Sequence, residues 1–166
     1  MIDSSHHFRK LLAIIVIAVF TTTTAQGQNS KKEQEAARIE AVTKMVANRQ
    51  FHFEVQSVMP SGGRMRQLSP GYSLHLAKDS LTSNLPYFGE AHSPAGVSGG
   101  GYNFTSTLFD YTIETRKKGG WEIRIKTKDQ QENPDFFLSI FENGSTSLRV
   151  NSMSRESISY SGNLAE

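Results

Sequence analysis

The spacing of apolar positions changes once along this chain. Between residues 30 and 48, Ile39, Val42, Met45 and Val46 recur at helical spacing, and Lys31, Lys32, Glu35, Arg38 and Glu40 fill the more polar first half. Asn29 or Ser30 is placed to cap this segment, with Glu33 three residues beyond Ser30 for a capping box. The spacing predicts an amphipathic helix whose apolar stripe faces a core. From residue 51 the period is two. In "FHFEV", Phe51, Phe53 and Val55 alternate with His52, Glu54 and Gln56. "YSLHLA" sets Tyr72, Leu74 and Leu76 against Ser73 and His75, and "LTSNL" is a shorter strand of the same kind.

Two hairpins follow. "FDYTIETR" and "WEIRIKTK" place Phe109, Tyr111 and Ile113 on one face with Trp121, Ile123 and Ile125. Matching those faces requires an odd loop. A loop of residues 117–121 sets Arg116 opposite Glu122 and Glu114 opposite Arg124, whereas a loop of residues 117–119 sets Glu114 against Glu122, so charge favours the longer loop. In "DFFLSIFENGSTSLRV", Asn143-Gly144 reads as a two-residue turn. That register groups Phe137, Phe141, Leu148 and Val150 on one face and leaves Phe136, Leu138 and Ile140 on the other. A strand apolar on both faces is expected to be central and covered on both. "SISYSG" closes the pattern, with Ile158 and Tyr160 inward. The fold expected is α+β: an N-terminal helix packed on a curved, mostly antiparallel sheet of seven or eight strands, partly closed as a barrel or a sandwich. A membrane barrel is disfavoured by the helix and by the two-faced strand.

The first residues change the picture of where the protein works. Arg9 and Lys10 precede the apolar run "LLAIIVIAVF" and the small and polar residues "TTTTAQGQ". Ten residues span about 15 Å as a helix, half a bilayer core. This fits a signal peptide of residues 1–25, cleaved after Ala25 or Gly27, ahead of a helical segment at 26–48 and an antiparallel β domain at 49–166. The expected location is periplasmic or secreted, with no membrane span after cleavage. The chain has no cysteine, which excludes disulfides, thiolate catalysis, Cys-ligated zinc and a lipidated Cys after the leader. Removing Asp3, Arg9 and Lys10 with the leader leaves 16 basic and 15 acidic residues. The basic residues form no stripe, so nucleic acid is not an expected partner.

Candidate chemistry is sparse. No serine lies in a nucleophile-elbow pattern. His52 and Glu54 share a strand face, and His75 would stand opposite one of them in a hairpin, which gives a weak two-His, one-carboxylate alternative to the expectation of no metal and no cofactor. Glu90, Asp110 and Glu114 are carboxylates of unfixed separation. "SPAGVSGGG" lacks the Lys and the following helix of a phosphate loop. In "LPYFG", Leu85, Tyr87 and Phe88 read first as a hydrophobic lid on one end of the domain. The functional alternative is a ligand rim of Tyr87, Phe88 and Trp121 beside the Gly-rich loop.

"RQFHFEV", "YSLHL", "LPYFGEA", "YNF" before "DYTIE", "GGWEIRI", "NGSTSLRV" and "ISYSG", in that order across residues 49 to 162, give the chain a family likeness. It resembles the secreted Bacteroidetes family catalogued as domain of unknown function 4251. The resemblance implies an exported envelope protein, usually a stand-alone domain, and brings no catalytic residue with it. The expected role is a non-enzymatic binding or interaction module for a small ligand or an envelope protein. The alternative is a small hydrolase of an envelope or other polymer, marked by a deep pocket with convergent ionisable groups.

Overall fold

The computed structural model describes residues 23–89 and 100–165, with side chains from residue 31 onward. The apolar run at 11–20, Glu90, His92 and most of the Gly-rich stretch lie outside the described residues. The chain divides into two compact units at Ala37/Arg38. Helix α1 spans Thr23–Ala47. It begins earlier than the capping pattern suggests, so Ser30 lies within it. In the first unit, residues 31–37 are exposed along the helix.

The second unit holds the last turns of α1 and ten strands: β1 Gln50–Pro60, β2 Arg66–Gln67, β3 Ser73–Ala77, β4 Ser80–Leu85, β5 Tyr102–Ser106, β6 Phe109–Thr115, β7 Trp121–Thr127, β8 Asp135–Ile140, β9 Ser145–Asn151 and β10 Ile158–Ala165. Val42 and Val46 are buried and Ile39 and Met45 half-buried, as the stripe predicts. The helix ends where Arg49 takes a left-handed conformation (φ 53°) and turns the chain into β1.

All strand pairs are antiparallel, in the order β5-β4-β3-β1-β10-β9-β8-β7-β6, with two-residue β2 pairing β1 to one side. Two meanders thus meet where β1 joins β10. The edge strands β5 and β6 are consecutive in sequence and separated only by Thr107 and Leu108, a connection that reaches no more than about 10 Å. The two edges are therefore brought together at that end, and the sheet is nearly closed into a barrel. Asp129 fastens the junction: its carboxylate accepts from Ser106 Oγ, from Thr107 N (2.9 Å) and from Leu108 N (3.2 Å). The class is the one the periodicity predicts, with ten strands in place of seven or eight.

The barrel is filled. Phe53, Leu74, Leu76, Leu81, Leu85, Ile123, Ile125, Phe136, Leu138, Ile140, Leu148 and Tyr160 are all essentially inaccessible. Their alternating neighbours on β7 to β9 are charged or polar, apart from Phe137. That is the inverse of a membrane barrel, whose apolar band faces outward.

Three local features go beyond plain alternation, and two of them correct an expected register. β1 keeps Phe51, Phe53 and Val55 inward, but a bulge between Val55 and Ser57 shifts the phase, so Val58 and Pro60 are the next inward residues. Gly162 lies opposite this bulge, where an added Cβ would come within 1.9 Å of the Glu54 carbonyl oxygen.

The second feature, a correction, concerns the β8–β9 hairpin, which has a three-residue loop. Phe141 N donates to Ser145 O (2.9 Å), and only Gly144, not Asn143, has a positive φ. A two-residue type I′ turn needs both. The register becomes Phe136 opposite Val150 and Leu138 opposite Leu148. The two-residue register would have placed Arg149 beside Leu138 in the core, a large desolvation cost. Phe137 and Phe141 therefore face outward, 36% and 43% exposed, and β8 is buried on one face only.

The third concerns the β6–β7 hairpin, whose loop is 117–119, with Glu114 opposite Glu122. Gly119 (φ 87°) supplies the left-handed residue of that loop, and both carboxylates are solvated. Arg116 approaches Glu122 at 3.6 Å, and Arg124 pairs with Asp135 instead.

Candidate functional site

The outward side chains of β6 to β10 align in rows, because cross-strand partners share a face. Thr112, Arg124, Phe137, Arg149 and Ser159 form one row. Glu114, Glu122, Ser139, Ser147 and Ser161 form the next, about 7 Å along the strands. Short serine side chains beside long ones leave an open recess of about 480 Å³ on this face. The exposed Phe137 ring lines it. Arg124 lies over that ring at 5.1 Å and is held there by two-pronged contact with Asp135, Nε to Oδ1 at 3.0 Å and Nη2 to Oδ2 at 2.5 Å. Arg149 stands on the other side of Phe137, with no ion pair to any described residue. The recess thus offers a flat apolar surface, a free guanidinium, a row of hydroxyls and two carboxylates. This suits recognition of a polar chain, in which stacking and hydrogen bonds act together. The alternation "FFLSIF" hides the site from the sequence, because only the turn length decides which phenylalanines face out.

The residues singled out in the sequence fall in three places. Tyr87 belongs to the closure of one barrel end. Its hydroxyl donates to Glu156 O (3.2 Å), and its ring meets Tyr102 edge-on at 5.9 Å. Tyr160 donates to Pro86 O (2.8 Å), tying "LPYFG" to the core. Arg155 lies over both the Tyr87 and Tyr102 rings at 5.1 Å, and it pairs with Glu132 at 3.0 Å. The Arg155 and Glu132 side chains are only 10% and 16% exposed. Burial raises the pKa of all three tyrosines, which keeps them as hydrogen-bond donors. The cluster is mutually satisfied and acts as a latch. Arg155 and Glu132 carried no sequence signal, since each stands alone among polar residues.

Phe88 departs from the lid reading. It is 41% exposed, under the Arg66 guanidinium at 5.2 Å. Trp121 is half-buried and pairs with Ile140, at the other end of β8 from Phe136, whose ring meets Tyr102. Tyr87 and Trp121 therefore do not share a rim.

His75 does stand opposite His52, with ring centroids 5.5 Å apart. Glu54 lies opposite Ser73. His52 and Glu54 border a second open recess, of about 580 Å³, with Gln56, Gln67, Leu68 and Tyr72. Among the described residues, no group of three His, Cys, Asp or Glu is close enough to hold a metal ion.

Comparison with known proteins agrees with the fold. The family model described as "Domain of unknown function (DUF4251)" matches residues 33–164. The crystal structure of a DUF4251 family protein from Bacteroides eggerthii superimposes with a TM-score of 0.60 at 18% identity, covering 78% of this chain and 90% of that one. No curated protein matches.

Proposed function

We propose a non-enzymatic binding role for this chain, which belongs to the DUF4251 family. The observation that carries the reading is where the space lies. The barrel interior is occupied by its own side chains, so a ligand cannot be held inside. A recess that joins an exposed ring to two guanidinium groups is on the polar outer face, around Phe137, Arg124 and Arg149. An open face lined by an exposed ring, guanidinium groups and hydroxyls supports stacking and ion pairing. The ligand that fits is an extended anionic polymer, lying across the strands with a sugar or amide plane on Phe137 and a carboxylate on Arg149. Export to the bacterial envelope, supported by the residue 1–25 pattern, would bring the domain to such polymers.

The test is co-sedimentation with peptidoglycan, comparing the native chain with Phe137→Ala and Arg149→Ala. Both positions are exposed, so both variants should fold. Each variant should lose at least tenfold in affinity. Native and variant chains sedimenting alike would refute the role of this face.

The hydrolase alternative has one observation of its own, the Glu114–Glu122 pair in register on the same recess. It predicts polymer cleavage that Glu122→Gln abolishes. Binding without cleavage supports the first reading.

A further inference from the structure

The two edges of the sheet are treated differently. At β5, Gln130 Nε2 donates to Thr105 O (3.2 Å), and Asp129 binds Ser106 and the two residues that follow. At β6 no described group bonds the outer edge. Lys128 N donates to Leu108 O and Arg116 N to Gly120 O, so the even-numbered residues of β6 direct their backbone groups at β7. Phe109, Tyr111, Ile113 and Thr115 direct theirs outward, and no described group bonds them. Seven residues of edge carry no proline, and Ile113, on the core-facing side, is 41% exposed. Such an edge is a template for strand addition.

We infer that β6 is the contact through which a second copy of this chain joins the sheet, antiparallel and two-fold symmetric about Ile113. The edge is self-complementary in charge in this register. A two-fold axis at Thr112 would set Asp110 against Glu114 twice, and one at Glu114 would oppose two glutamates. An axis at Ile113 sets Asp110 opposite Arg116 twice, Thr112 opposite Glu114, and Ile113 on its own copy. That register also has the right parity, since Ile113 and the Tyr111–Thr115 pair present outward N–H and C=O groups to each other. The interface is isologous and closes at two chains. It is independent of the ligand reading above.

Sedimentation velocity over a concentration series tests it. The native chain should show a monomer–dimer equilibrium. Ile113→Pro removes an outward N–H that no described group bonds, and proline is tolerated on an edge strand, so the fold should persist while the dimer constant weakens at least tenfold. Asp110→Arg, which also breaks the exposed Lys128–Asp110 ion pair (2.6 Å), should weaken it as well, by setting like charges across the axis. A chain that stays monomeric at millimolar concentration overturns the inference, as does a dimer that both variants leave unchanged.

Discussion

Phe88 and Phe136 show what decides a residue's weight in this protein. Both are aromatic and both lie in apolar stretches, yet Phe136 is fully buried while Phe88 is 41% exposed. Phe136→Ala should cost about 3–5 kcal/mol in denaturant unfolding. Phe88→Ala should change stability by no more than about 0.5 kcal/mol. A large loss at Phe88 would mean that its contact with Arg66 matters more than burial.

Asp129 is the residue that ties stability to pH. Its hydrogen bonds from Ser106 and the Thr107 amide hold its pKa down to about 2. A carboxylate whose folded pKa is depressed stabilises the fold above its unfolded pKa, near 4, and loses that contribution as pH falls through the folded value. The gap in melting temperature between the native chain and Asp129→Asn should therefore be full at neutral pH, narrow below about pH 4 and close near pH 2. A gap independent of pH would place the effect of Asp129 elsewhere.

At the scale of elements, the backbone at β1 and β10 gives the sharpest test. Gly162→Ala would set a methyl against the Glu54 carbonyl at the bulge. It should destabilise by about 1–3 kcal/mol, read from urea midpoints. A neutral effect would mean that the two strands separate easily there. The inward faces of β1 up to Val55, of β3 and of β10 were legible in the sequence, because alternation survives wherever one face is buried. The bulge was not, since one extra residue leaves no mark in composition. Loop length was misread at Asn143-Gly144 because the dipeptide fits two turn types, and the cost of burying Arg149 was the signal that separated them. The Phe137 recess depended on that same choice, so it was hidden with it. The Tyr87 end was half legible: the tyrosine showed in the sequence, but its partners Arg155 and Glu132 lie far along the chain.

At the scale of the whole β unit, the outcome is a nearly closed barrel filled by its own side chains, with its chemistry turned outward. Trp121 packs against the core opposite Ile140, so ligand binding on the outer face should leave the tryptophan emission largely unchanged. The central claim is that recognition occurs across the strands at Phe137. Amide chemical-shift mapping with soluble peptidoglycan fragments tests it most directly. The account predicts shifts that follow the row Thr112, Arg124, Phe137, Arg149 and Ser159 and vanish in Phe137→Ala. Shifts gathered instead around Tyr87, Tyr102 and Arg155, with that row unmoved, would contradict it.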